Sequence, residues 1–112
     1  MWTVALTREN GDAMAFEMTV GLFVSDPEMY SQYRAEIAPL VEAAGARFRF
    51  DFEIARTLKS DANHEINRVF VLQFPDGAGK EEFFANPRYI EIRARLFARA
   101  VKAGTTISEF ER

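Results

Sequence analysis

Apolar and charged positions exchange at every step through the middle of the chain. Between Ala46 and Leu58, Phe48, Phe50, Phe52 and Ile54 fall on one side, and Arg47, Arg49, Asp51 and Glu53 on the other. A period of two predicts a strand with one face on a core. Ala15 to Val24 has the same period, with Phe16, Met18, Val20, Leu22 and Val24 sharing a face. Arg68 to Phe74 is apolar on both faces, which predicts a central strand covered twice. Thr105 to Phe110 reads as a final short strand. At the start, Trp2, Val4 and Leu6 alternate ahead of Asn10-Gly11, a hairpin signal because both turn positions need positive φ. Residues 1–13 are therefore expected to form an extra strand or extension.

Helical spacing fills the gaps. Asp26-Pro27 supplies an N-cap and a first-turn proline. Tyr30, Tyr33, Ile37, Leu40, Val41 and Ala44 then recur on one face. Pro39 predicts a kink and Gly45 a stop. Pro75-Asp76-Gly77 turns the chain into a short helix through Ala85. Asn86-Pro87 opens a second helical piece over Arg88 to Lys102, with Ile90, Ala94, Phe97 and Val101 inward and Gly104 as its stop.

The order strand, helix, strand, strand, helix, strand predicts an α+β domain over residues 1–112. Its form is a ferredoxin-like βαββαβ antiparallel sheet with two helices on one face. The Phe48 face is expected to meet those helices. The opposite face needs cover, and a two-fold homodimer supplies a second sheet most simply.

Composition narrows the functional classes. Eleven Phe among 112 residues mean a large apolar core or an apolar surface that a partner covers. Net charge is −3, with no basic stripe, so nucleic acid is not an expected partner. There is no cysteine and one histidine, so neither a disulfide nor a structural zinc is expected, and no cofactor is assigned. No apolar run is long enough to cross a membrane and no signal peptide is evident, which makes the cytoplasm the expected location. Gly77-Ala78-Gly79-Lys80 lacks the spacing of a phosphate-binding loop.

His64 is the side chain whose ordinary pKa lies nearest neutrality, and Asn63, Glu65, Asn67 and Arg68 surround it. It is the candidate acid or base, with Arg68 to hold an anionic or carbonyl oxygen. Tyr30 and Tyr33 share a helix face and could orient a ligand, with Phe50, Phe52 and Asn67 as further lining. Arg47, Arg49, Asp51 and Glu53 are the candidate dimer contacts, cation of one chain against carboxylate of the other. The plainer readings are a solvated loop histidine, core tyrosines, phenylalanines that fill the interior, and charges that protect an edge strand.

Four segments carry a family resemblance. Asp26-Pro27-Glu28-Met29-Tyr30-Ser31-Gln32-Tyr33, Gly45-Ala46-Arg47-Phe48, Gln73-Phe74-Pro75-Asp76 and Phe83-Phe84-Ala85-Asn86-Pro87-Arg88-Tyr89 occur in matching order between Ala15 and Phe110. Together they resemble the family called domain of unknown function 1330. The resemblance implies a dimeric α+β barrel. Relatives at that level include cofactor-independent monooxygenases, haem-degrading enzymes, lactone isomerases and proteins with no known activity. It therefore implies a cofactor-independent small-molecule enzyme of isomerase, lactone-processing or monooxygenase type. The ligand would be small, apolar or carbonyl-containing, in a pocket between sheet and helices. The alternative is a non-enzymatic dimeric binding module with a filled core. An open cavity beside Tyr30 with unpaired polar groups favours the first.

Overall fold

The computed structural model describes residues 15–112. The expected strand at Trp2 to Thr7 and the Asn10-Gly11 turn lie outside the described residues. The elements run β1 (Phe16–Val24), α1 (Pro27–Ala43), β2 (Arg47–Glu53), β3 (Arg68–Phe74), α2 (Gly77–Ala85) and α3 (Pro87–Ile92). A π-helical turn (Arg93–Phe97) and one last helical turn (Ala98–Ala100) lead into β4 (Val101–Glu111). The four strands form one antiparallel sheet in the order β2-β3-β1-β4, the ferredoxin-like arrangement.

Local chemistry sets the helix boundaries. The Asp26 carboxylate accepts the Met29 N–H at 3.1 Å, and Pro27 opens α1. α1 continues past Pro39 to Ala43. Gly45 turns the chain at φ 70°, a left-handed value that costs glycine little. Asp76 caps α2 through Gly79 N–H at 2.7 Å, and Asn86 caps α3 through Arg88 N–H at 2.8 Å.

The core lies between one sheet face and the helices. Met18, Val20, Leu22 and Val24 of β1 meet Tyr30, Tyr33, Ile37 and Val41 of α1. Leu72 and Phe74 of β3 and Ile92 and Leu96 complete it.

Three expectations change. First, β2 does not keep one parity. Its pairing with β3 slips between Phe48 and Phe50, so that Phe48 lies opposite Leu72, Phe50 opposite Val71 and Asp51 opposite Phe70. The extra residue at Arg49 is a β-bulge, and everything beyond it changes faces. Phe48 still meets the helices, but Phe50 and Phe52 face away from them. Asp51 and Glu53 turn toward the helix side and leave Arg47 and Arg49 behind. Second, the inward positions of the last helical segment are Tyr89, Ile92, Leu96 and Ala100. Ile90 is 52% exposed and Ala94 is also exposed; Phe97 is half-buried. Third, β2 is shorter than expected and β4 longer. Gly104 lies inside β4 opposite Leu22, where a Cβ would come within 3.0 Å of Leu22 Cδ2. A close approach, not a helix stop, explains that glycine.

The sheet face away from the helices is apolar and open. Phe50 (47% exposed), Phe52 (51%), Ile107 (53%) and Phe110 (46%) all lie on it. Buried within it, Glu17 accepts bonds from Arg49 at 2.7 Å, Gln73 at 3.0 Å and Arg112 at 3.0 Å. The loop between β2 and β3 folds over one end, where Ile66 crowds Gly21.

Candidate functional site

A cavity of about 370 Å³ lies between the helix side of the sheet and α1 and α3. Its walls are mostly apolar, from Val20, Leu22, Phe48, Phe70, Leu72 and Phe83. This is the composition and the lower size range of small-ligand sites. The polar residues on it include Tyr30, Tyr33, Tyr89, Arg34, Arg93 and Thr106.

The tyrosines come from two helices. Tyr30 and Tyr33 sit one turn apart on α1, with ring centroids 5.6 Å apart. Tyr89 comes from α3, and its hydroxyl lies 2.9 Å from that of Tyr33. Burial, with the neighbouring Tyr89, pushes the Tyr33 hydroxyl far above the ordinary tyrosine range. Burial likewise raises Tyr30, against the lowering effect of Arg34. It raises Tyr89 too. All three hydroxyls therefore keep their protons at neutral pH.

That leaves a count of donors. Each phenol has one O–H to give. Tyr33 and Tyr89 share one bond, which uses one proton of the two. Tyr30 accepts from Arg34 Nη1 at 3.0 Å, which uses none. Two O–H groups on the cavity wall thus have no protein acceptor among the described residues.

A charged girder stands at one rim. Asp51, turned inward by the bulge, accepts Arg68 Nε at 2.8 Å and Arg68 Nη2 at 3.0 Å, and also Arg34 Nη2 at 2.8 Å. Arg34 lies over the Phe48 ring at 3.8 Å, and Arg68 over the Tyr30 ring at 4.9 Å. Desolvation raises the Asp51 pKa, but the hydrogen bonds from Arg68 and Arg34 outweigh it and hold the carboxyl below its ordinary value. A depressed carboxyl adds stability above its unfolded pKa and loses it as pH falls through the folded one. Asp51→Asn should therefore lower stability at pH 7 by about 1 kcal/mol, as expected for a partly exposed pair. Thermal unfolding at pH 7 and at pH 2 checks this: the deficit should fade in acid, and a deficit of equal size at both values would contradict it.

The structure separates the residues that the sequence grouped. His64 Nδ1 lies 2.7 Å from the Glu65 carbonyl, to which it donates, and Nε2 lies 2.7 Å from Thr105 Oγ1. It sits in the loop over the open sheet face and does not line the cavity. Arg68 is on the helix side, held by Asp51 and outside the cavity wall. Asn67 spends its amide on one residue: Oδ1 accepts Val24 N–H at 2.8 Å and Nδ2 donates to Val24 O at 2.9 Å. It prolongs the pairing of β3 with β1 instead of facing the cavity. Phe50 and Phe52 stack on each other on the open face, with centroids 6.0 Å apart, and do not line the cavity. Arg49 is bound to Glu17 of its own chain.

Tyr89, Arg34 and Arg93 were missed. A signal was present: both helices carry Tyr and Arg four residues apart, Tyr30 with Arg34 and Tyr89 with Arg93. That spacing places each pair on one helix face. Among the described residues, no group of His, Cys, Asp and Glu gathers as a metal site. No described helix is long and apolar enough to cross a membrane.

Comparison with known proteins gives the fold and a family. The model of a family described as a domain of unknown function (DUF1330) matches residues 18–109. A solved protein of unknown function from Rhodopseudomonas palustris is 18% identical, with 93% of this chain and 86% of that chain covered and a TM-score of 0.75. The hydroxynitrile lyase of Passiflora edulis is 14% identical, with 89% and 94% covered and a TM-score of 0.64. A dimeric ferredoxin-like protein of unknown function from Thermobifida fusca is 14% identical, with 90% and 93% covered and a TM-score of 0.58. No curated protein matches. At these identities the likeness fixes the ferredoxin-like α+β fold alone.

Proposed function

Because this chain belongs to the DUF1330 family, for which no reaction defines a site, we propose its function from the cavity itself. It is a homodimeric protein that takes up a small, mainly apolar molecule bearing a carbonyl oxygen, without a cofactor. One observation carries this reading: three tyrosines line a cavity of about 370 Å³, and two of their O–H groups have no protein acceptor among the described residues. Where a ligand displaces water from such a donor and offers it no acceptor, the unpaired group costs about 1–3 kcal/mol. A carbonyl oxygen removes that cost and a hydrocarbon does not.

The arrangement suits electrophilic chemistry. Proton-bearing phenols and the nearby Arg34 cation suit stabilisation of negative charge that develops on a carbonyl oxygen, as in enolisation or in nucleophilic addition to an aldehyde or ketone. The Passiflora lyase is an enzyme built on this fold. Among the described residues neither Asp nor Glu lines the cavity, so a base supplied by them is not part of this reading. Binding with oxyanion stabilisation is thus the part of the reading that the residues support most directly. The homodimer rests on the four exposed apolar side chains of the open face and on the dimeric Thermobifida neighbour.

The experiment is an NMR titration of the full chain with 4-phenyl-2-butanone and with butylbenzene, its oxygen-free counterpart. The ketone should bind more tightly and perturb Tyr30, Tyr33 and Tyr89. Tyr30→Phe should weaken ketone binding about fivefold, the worth of one neutral hydrogen bond. Equal affinity for ketone and hydrocarbon, or perturbations confined to the open face, would overturn the reading.

A further inference from the structure

The two cations on the cavity wall are not in the same condition. Arg34 is committed: its guanidinium bonds Asp51 at 2.8 Å and the Tyr30 hydroxyl at 3.0 Å. Arg93 has no carboxylate within ion-pair reach among the described residues. The acids on the neighbouring helix surfaces are already taken. Glu91 accepts from Arg88 at 2.6 Å and Arg95 at 2.7 Å, and Glu36 accepts from Arg95 at 2.6 Å.

The backbone around Arg93 is unusual. Ala98 N–H reaches the Arg93 carbonyl, five residues back, which makes the turn a π-helix. Single π turns recur at functional sites because they displace side chains that a regular helix would align. Here the Phe97 ring lies 5.0 Å from the Arg93 guanidinium and 5.0 Å from the Tyr33 ring. The aromatic face steadies the cation without neutralising it. Arg93 follows Tyr89 by four residues, about one helical turn, and both residues line the cavity. An unneutralised guanidinium beside phenol donors matches a planar anion with two oxygens.

We infer that the molecule taken up is an apolar carboxylic acid, whose carboxylate is received by Arg93 and the Tyr89 hydroxyl while its hydrocarbon body lies against Leu22, Phe70 and Leu72. This deepens the carbonyl-binding reading and rests on it. The acid group adds specificity: it turns a general apolar cavity into one that selects charged over neutral members of a series.

The test compares 3-phenylpropanoate with 3-phenylpropanamide by calorimetry on the full chain at pH 7.5. The acid should bind about tenfold more tightly, as one charge-assisted contact gives. The preference should shrink with added salt. Arg93→Gln should abolish the preference, and Arg93→Lys should keep part of it, because it retains the charge but not the fork. Circular dichroism of both variants confirms that each is folded. No acid preference in the unaltered protein, or a preference that survives Arg93→Gln, would overturn the inference while leaving ketone binding intact. Failure of 4-phenyl-2-butanone to bind would instead remove the reading beneath it.

Discussion

Phe52→Asp should convert the proposed homodimer to a monomer while leaving the fold of each chain in place. Phe52 is 51% exposed on β2, stacked on Phe50 and opposite Val69. Among the described residues nothing covers it, so a carboxylate there is solvated in the monomer. In a face-to-face dimer the same carboxylate enters an apolar contact, and two-fold symmetry introduces it twice. An unpaired buried charge costs several kcal/mol. The dissociation constant should rise by more than about 100-fold, about 2.7 kcal/mol. Sedimentation velocity over a concentration series measures this directly. A variant that stays dimeric would place the interface elsewhere, and a monomeric unaltered protein would remove the dimer from the account.

Phe74→Ala should have the largest effect on stability. Phe74 is 1% exposed at the end of β3, where the chain turns into α2. Its ring packs on Phe83 at 5.6 Å and on Phe84 at 5.8 Å, and both of those rings reach Tyr89. Removing a buried phenylalanine costs about 3–5 kcal/mol, transfer energy plus the void it leaves. That is a large share of the ~5–15 kcal/mol that holds an ordinary domain together. The unfolding midpoint should fall by more than about 10 °C, measured at fixed protein concentration so that dimerisation does not distort the comparison. The cavity should suffer as well, because Phe83, Phe84 and Tyr89 form its far wall. A fall of only a few degrees would mean that the surroundings collapse onto the site.

The fold was legible where local chemistry leaves a mark. Asp26-Pro27 and Gly45 bracket α1, and Asp76 and Asn86 start the next two helices. β3 is central, as its two apolar faces require. The failure in β2 has a definite cause: an inserted residue reverses every position after it and leaves the alternation itself intact. The pattern from Arg47 to Glu53 is unbroken in sequence, yet the bulge at Arg49 reverses its second half. That reversal puts Phe50 and Phe52 on the open face and gives the cavity rim its carboxylate, Asp51. The π turn at Arg93–Phe97 is a similar insertion in a helix, and its presence cannot be read from the spacing of Ala94 and Phe97.

The site was half legible. Tyr30 and Tyr33 lie on the cavity, as apolar-spaced phenols on the inward face of α1 should. His64 drew attention through its intrinsic pKa, but where a loop lies cannot be read from titration chemistry. The loop crosses the open face, and His64 ends on Thr105. Asn67 looked like a ligand group because its neighbours are polar; its amide instead completes the backbone pairing at Val24. The paired Tyr and Arg on each helix needed two elements to be superposed, which no single-segment period reveals.

A crystal structure of the full chain with 4-phenyl-2-butanone addresses the central claim most directly. The ketone should lie inside the cavity, with its oxygen at about 2.5–3.0 Å from the Tyr30 hydroxyl or from the member of the Tyr33 and Tyr89 pair that still has a proton to give. A ketone found only on the open sheet face, or inside the cavity with its oxygen turned away from all three phenols, would contradict it.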